Sequence, residues 1–303
     1  MKALRIGTRG SALALAQTRQ VMARIAAAVP GLAIEEVVIK TTGDRLAEVA
    51  TSDLPMGKGV FTAELENALL GGEIDVAVHS LKDLPTTFAP GLALGAVPVR
   101  ADERDVLLMK EAPSASLDDL PEGALIATGS LRRQKQLARR RPDLRFTDIR
   151  GNIDTRIRKL RDHDEWSGLV LAAAGLERLR PDTEGLHPIF LDHETMLPAP
   201  GQGALALQIR SGDAETGDLL QAVHDTDTAA CVRAERAFLH AVGGGCEWPL
   251  GAAATLKPDS KLLSLHGIYW QEEEPDARAG TVQLNLNAHA AEDAGARLAR
   301  LIC

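Results

Sequence analysis

The sequence predicts an α/β protein of two doubly wound domains, with a small α+β domain at the C-terminal end. Three observations carry that prediction. Short apolar runs lead repeatedly through a polar turn into a helical pattern, as where Ala3–Gly7 is followed by Thr8-Arg9-Gly10-Ser11 and then Ala12–Val29. Extended stretches near residue 100 and near Pro198 read as crossings from one domain into the next and back. From Asp218 the pattern changes to a helix, alternating strands and a closing helix.

A chain of 303 residues suits two or three domains, and 45% hydrophobic with 25% charged residues is ordinary for a globular protein with a real core. The net charge of -8 and only 3% aromatics argue against a nucleic-acid partner, which needs a basic footprint and stacking platforms. Cys231, Cys246 and Cys303 form no disulfide framework, and no Cys/His spacing suggests zinc, so no metal is expected. The N-terminus shows no signal peptide, and no apolar run is long enough to span a bilayer. A cytoplasmic protein with reduced thiols is expected.

In the first junction Ser11 can cap the helix, and Arg9 sits in the turn, where free N–H groups favour an anion. Ile34–Lys40 is a second strand. The polar stretch after it, through Gly57-Lys58-Gly59, reads as a lid loop; it lacks the spacing of a nucleotide-binding loop. Phe61–Leu70 is helical. Asp75–His79 is a buried strand ending in Ser80-Leu81-Lys82-Asp83-Leu84-Pro85, which puts Lys82 and Asp83 at a carboxyl end, where open α/β sheets bind ligands. Leu92–Arg100 is extended, Val106–Met109 is a strand, and Leu117–Gly123 is a short helix and turn. Ala124–Ala127 leads through Thr128-Gly129-Ser130-Leu131-Arg132-Arg133 into a helix reaching Arg141. Adjacent arginines suit paired carboxylates or phosphates, which the guanidinium fork binds in bidentate fashion. Arg139-Arg140-Arg141 reads instead as a solvated helix end matched to the helix dipole.

Leu144–Ile149 leads through Arg150-Gly151-Asn152 into a helix carrying Arg156, a third junction of the same kind. Leu169–Ala173 is a strand ending at Ala174-Gly175-Leu176-Glu177-Arg178, and Leu205–Ile209 is a strand after the return crossing. Three basic junctions, with Lys58 and Lys82, on an acidic chain point to a substrate with several carboxylates or phosphates. Thr226–Ala241 is a helix. The loop Gly243-Gly244-Gly245-Cys246 then either offers a thiol outward or packs a small semi-buried residue in a tight turn. Leu262–Trp270 and Thr281–Asn287 are strands joined by an acidic loop, and Ala290–Ile302 is the closing helix. A bilobal small-anion binder fits the basic turns equally well but has no use for Cys246 or Asp83. A phosphate-handling transferase would need a nucleotide loop or metal carboxylates, and the sequence has neither.

An ordered set of motifs spans nearly the whole chain. It comprises Thr8-Arg9-Gly10-Ser11, Gly57-Lys58-Gly59-Val60-Phe61, Val78-His79-Ser80-Leu81-Lys82-Asp83-Leu84-Pro85, Ser130-Leu131-Arg132-Arg133-Gln134, Arg150-Gly151-Asn152 with Thr155-Arg156, Ala174-Gly175-Leu176, Gly201-Gln202-Gly203 and Gly244-Gly245-Cys246. With these the chain resembles the porphobilinogen deaminase (hydroxymethylbilane synthase) family of tetrapyrrole and heme biosynthesis. The resemblance implies two periplasmic-binding-protein-like domains, residues 1–99 with 197–217 and residues 100–196, with the active site between them. Residues 218–303 form the third domain, which carries the cysteine. It implies a monomer whose dipyrromethane cofactor is held by a thioether to Cys246. Porphobilinogen units add one at a time, each losing ammonia, and hydrolysis releases the linear tetrapyrrole hydroxymethylbilane.

Loss of ammonia leaves an electron-poor, cationic pyrrole species, which a fixed carboxylate stabilises and can assist in proton transfer. Asp83 matches the family's catalytic aspartate. Each ring carries an acetate and a propionate. The resemblance assigns Cys246, Asp83, Lys82, Arg132, Arg133, Thr128 and Ser130 to the cofactor, and Arg9, Ser11, Arg150, Arg156, Arg178 and the lid residue Lys58 to the substrate. The chain also departs from the family pattern. Gly129 stands where a first serine is usual, Gln208 where Glu is usual, and Gly243 where an acidic residue usually precedes the Gly-Gly-Cys; Glu247-Trp248 after the cysteine is also unusual. The change at Gly129 removes one side-chain donor to a carboxylate.

Overall fold

The computed structural model describes residues 3–41, 62–111, 116–243, 248–257, 259–271, 276–287 and 289–303. Internal contacts divide the chain into two units, Met1–Ala101 with Ala204–Ala230, and Asp102–Gly203 with Cys231–Cys303.

The first unit is built on a five-stranded sheet. Its strands are β1 (Leu4–Arg9), β2 (Ile34–Ile39), β3 (Val76–Ser80), β4 (Leu92–Ala96) and β10 (Leu205–Arg210), in the order β2-β1-β3-β10-β4. β1 runs parallel to β2 and β3, whereas β10 is antiparallel to both its neighbours. The sheet is covered on both faces, as parallel strands require. Val76 and Val78 pack with Val21 and Ile25 of α1 (Ala12–Ala28). Ala77, pointing the other way, packs with Leu65 and Leu69 of α2 (Ala63–Leu70). An ion network closes the amino-terminal end of the strands: Asp75 takes Arg5 at 2.7 Å and Arg210 at 3.2 Å, and Arg210 also takes Asp213 at 2.6 Å. That leaves the opposite, carboxyl edge for Arg9, Ser80 and the turn after it.

The second unit contains a five-stranded sheet and a three-stranded one. The larger has β5 (Asp105–Met109), β6 (Leu125–Ala127), β7 (Arg145–Thr147), β8 (Gly168–Ala172) and β9 (His187–Leu191), in the order β7-β6-β8-β5-β9. β6 is parallel to β7 and β8, and β5 is antiparallel to β8 and β9. One face packs on Leu137 of α3 (Leu131–Arg140), the other on Ile157 and Leu160 of α4 (Ile153–Asp162). The edge strand β9 is not among the elements expected from sequence. Pro188 and the exposed His187 and Phe190 mask it, and an edge position is where a strand proline is tolerated. Ala173, read from sequence as the last residue of a strand, and the residues after it instead form the short helix α5 (Ala173–Leu179). A further helix, α6 (Ala214–Leu220), comes after β10 in the first unit.

The small sheet is the antiparallel meander β11 (Leu250–Lys257), β12 (Leu262–Tyr269) and β13 (Arg278–Asn285). Its apolar face packs with Phe238 of α7 (Thr226–Ala241) and with Leu298 and Ile302 of α8 (Ala290–Ile302). Cys231 is buried in that core and Cys303 is exposed. Glu235, fully buried on α7, accepts hydrogen bonds from the Gly201 amide at 2.7 Å and the Ala254 amide at 2.9 Å. The Ala252 amide donates to the Pro198 carbonyl at 2.9 Å. These bonds fasten the segment after β9 to the small sheet. The fold class is therefore the expected one, with mixed rather than purely parallel sheets because β5 and β10 enter against the direction of their neighbours.

Candidate active site

At the carboxyl edge of the first sheet, β1 ends on Arg9 and α1 begins at Ser11, whose Oγ accepts from the Ala14 amide at 3.3 Å. β3 runs out into one turn of 3₁₀ helix, Leu81–Asp83. Leu81 and Leu84 are buried on either side of that turn, and the Leu81 amide donates to the Ala204 carbonyl at 3.0 Å. Two apolar anchors three residues apart hold the turn down, so Asp83 stands exposed and Lys82 half-buried. Beneath the turn, Ser80 and Gln17 exchange hydrogen bonds of 2.8 and 3.2 Å. His79 is buried, with Nε2 3.0 Å from Gln208 Oε1, and Gln208 Nε2 donates to Glu66 at 3.0 Å. A carboxylate only accepts, so Glu66 sets the orientation of the Gln208 amide, which in turn makes Nε2 the protonated nitrogen of His79. Burial lowers His79 to about 4, with Arg9 acting the same way, so the ring is neutral at pH 7.

The corresponding edge of the large sheet in the second unit is dominated by cations. Thr128 is buried after β6; its Oγ1 accepts from the Ser130 amide at 3.3 Å. Ser130 occupies the N-cap of α3, but its hydroxyl makes no capping bond. Arg132 and Arg133 lie in the first turn of α3, where the helix dipole disfavours positive charge. Both are buried, at 5% and 7% exposure, and both turn onto the fully buried Asp105 at the head of β5. Arg132 Nη1 reaches Asp105 at 2.7 Å and the Leu197 carbonyl at 2.7 Å. Arg133 donates to Asp105 at 2.8 and 3.1 Å and to the Val170 carbonyl at 2.9 Å. Gln202 Nε2 adds a bond to Asp105 at 2.9 Å. Burial acts to raise the Asp105 carboxyl, but the two guanidiniums outweigh it and hold the group well below the usual carboxylate range. Burial also lowers the Arg132 guanidinium, against the pull of Asp105.

Gly151, at φ 115°, lets the chain turn into α4, and Asn152 caps that helix by accepting from the Thr155 amide at 2.8 Å. Arg156 is half-buried and donates from Nε to the Gly151 carbonyl at 2.7 Å. Burial and Arg133 lower its guanidinium, and Asp148 partly restores it. Arg150 is exposed, 3.9 Å from Asp148. Arg178, on α5, donates to the Gly203 carbonyl at 2.6 Å. The structure thus gathers Arg9, Ser11, Lys82 and Asp83 at one sheet edge, and Thr128, Ser130, Arg132, Arg133, Arg150 and Arg156 at another. Cys246 and Lys58 lie outside the described residues. Sequence reasoning missed Asp105, Gln202 and Asp148. The one signal for Asp105 was a charge opening an otherwise apolar strand, since a fully buried aspartate is rare unless paired.

Residues 4–218 match the family described as porphobilinogen deaminase, dipyromethane cofactor binding domain, and residues 229–303 match porphobilinogen deaminase, C-terminal domain. The chain belongs to the porphobilinogen deaminase family. The porphobilinogen deaminase of Syntrophomonas wolfei is 44% identical over 99% of this chain and 95% of its own length. That of Thermus thermophilus is 45% identical, also over 99% and 95%. Among solved structures, the periplasmic aliphatic sulphonate binding protein SsuA from Escherichia coli is similar at 16% identity and a TM-score of 0.40, over 79% of this chain and 70% of that one, a likeness too remote to argue from. Among the described residues no helix is long and apolar enough to cross a membrane.

Porphobilinogen deaminases are transferases of tetrapyrrole biosynthesis that work on a dipyrromethane cofactor, and the residues present fit such a group. Arg132 and Arg133 bring two buried positive charges to one carboxylate, and Arg156 adds a third cation beside Arg133. A buried surplus of positive charge is costly unless an anion meets it, and acetate and propionate side chains are such anions.

Proposed function

We propose that Cys246 carries the dipyrromethane cofactor and that Asp83 is the catalytic carboxylate in the conversion of porphobilinogen into hydroxymethylbilane. The observation that supports this reading is the buried pair Arg132 and Arg133 sharing the single carboxylate of Asp105. When bound, the cofactor supplies a nucleophilic pyrrole carbon on which the chain is built.

The protein's own groups then have distinct tasks. Asp83, exposed on a turn that buried leucines hold rigid, accepts hydrogen bonds from pyrrole N–H groups. It stabilises the positive charge that develops as the substrate's aminomethyl carbon loses ammonia, and it assists the proton transfers that accompany the new C–C bond. Arg132, Arg133, Lys82, Thr128 and Ser130 hold the cofactor's carboxylates. Arg9, Ser11, Arg150, Arg156, Arg178 and Lys58 hold those of incoming and growing rings. The reading includes three domains, residues 1–99 with 197–217, 100–196 and 218–303, in keeping with three separate sheets. It also includes a monomer in the cytoplasm without a nucleic-acid partner, in keeping with the net charge of -8.

The test is the intact mass of the purified, denatured protein, followed by peptide mapping. An excess equal to two linked pyrrole units on the peptide holding Cys246 is expected, directly or after incubation with porphobilinogen. A chain that gains no mass after that incubation overturns the assignment.

A further inference from the structure

Gly129 is exposed in the turn between β6 and α3. A Cβ built on it would stand 3.0 Å from Asp148 Oδ1 and 3.0 Å from the Ile149 carbonyl oxygen. The space a side chain at residue 129 would enter is therefore already held by a carboxylate from the end of the neighbouring β7 segment. Where the family pattern has a hydroxyl donor, this chain has a glycine with an anion folded over it.

The other oxygen of Asp148 faces the cations. Oδ2 lies 3.9 Å from Arg150 Nε, an ion pair without a hydrogen bond, with the two side chains 65% and 67% exposed. Asp148 also acts electrostatically on Arg156, opposing the effect of Arg133. It is not needed to cap α4, because Asn152 does that. An exposed pair at this distance is weak and displaceable.

We propose that Asp148 is an internal competitor for the carboxylate subsite: it occupies the place left by Gly129 and must be displaced from Arg150 and Arg156 before a pyrrole acetate or propionate binds there. It is a positioning residue that sets affinity at this subsite. The inference rests on the reading that Arg150 and Arg156 hold substrate carboxylates.

The test uses the full-length enzyme with its cofactor and compares Asp148→Asn, Arg150→Gln and Arg156→Gln. Asp148→Asn lowers KM for porphobilinogen about two- to fivefold with a smaller change in kcat, the size expected for an exposed ion pair. The gain shrinks as salt is raised to about 0.5 M. Arg150→Gln and Arg156→Gln raise KM. If the arginine variants raise KM while Asp148→Asn leaves it unchanged or raises it, the competitor role is wrong and the cation reading stands. If all three leave KM unchanged, the cation reading falls and the competitor role falls with it. A second readout needs no turnover: Gly129→Ser lowers Tm in the parent chain and lowers it less alongside Asp148→Ala. Equal losses in the two backgrounds would show that the carboxylate does not occupy that space, and would overturn the proposal.

Discussion

The two five-stranded sheets share one topology, three parallel strands followed by an antiparallel fourth and an edge fifth, yet they treat the fourth strand's polar residue in opposite ways. In the first, β10 presents Gln208, which lies in a neutral-side-chain contact with His79 and passes its amide hydrogen to Glu66. In the second, β5 presents Asp105, which takes two arginines. One sheet buries an oriented neutral amide and the other a charged triad with a positive surplus. The same scaffold thus offers an exposed carboxylate at one carboxyl edge and buried cations at the other.

The largest effect is expected where that surplus is unbalanced. Asp105→Asn leaves two buried guanidiniums without a counter-charge and costs about 3–5 kcal/mol of stability, read by urea unfolding. A loss below about 1 kcal/mol would mean that the triad is not what holds the arginines. The exposed aspartate behaves in the reverse manner. Asp83→Asn lowers kcat by about 10²–10³ and shifts stability by no more than about 0.5 kcal/mol; full activity would remove the assigned role.

Acid separates the two sheets. His79 binds its proton at about 4 when folded and near 6.5 when unfolded, so the unfolded chain holds more protons in that window. The contribution of His79 is present above 6.5 and falls by about 3 kcal/mol as pH drops to about 4. Asp105, held below the usual carboxylate range, begins to lose its contribution only as pH falls through the unfolded value of 3.8. Gln208→Glu places an anion against His79 and flattens the slope between pH 4 and 6.5 in urea-unfolding curves; an unchanged slope would break the contrast. The smallest effect lies just past the third strand of each sheet. There β3 runs into a 3₁₀ turn, whereas β8 runs into α5, which ends on Arg180 at φ 46°. Arg180→Gly relieves that left-handed position and raises stability by about 0.5–1 kcal/mol, seen as a higher Tm.

Local features were legible in the sequence and distant partners were not. Helices 226–241 and 290–302 follow from apolar spacing bounded by breakers, and the strand–turn–helix junctions follow from the switch of period. β9 was hidden by Pro188 and its exposed residues, and α5 by its brevity and by Gly175. Arg132 and Arg133 stood out as a pair, but Asp105 lies 27 and 28 positions away and becomes their partner only through the sheet. Asp83 was legible as a residue at a strand's carboxyl end, while the leucines that expose it acquire meaning only in the 3₁₀ turn. Cys246 and Lys58 were picked out by their glycine-rich loops and by family resemblance.

The placement of β10 bears on how the chain is made. The strands of the second unit's large sheet lie consecutively between Asp105 and Leu191, so that sheet has all its members once this stretch has left the ribosome. The first sheet is begun earlier and finished later. Among the described residues β4 pairs only with β10, so it waits through roughly 100 residues of synthesis, several seconds or more at ordinary translation rates, before its neighbour emerges. During that interval the nascent N-terminal segment exposes an apolar strand edge, and of the two five-stranded sheets the one begun first is completed second.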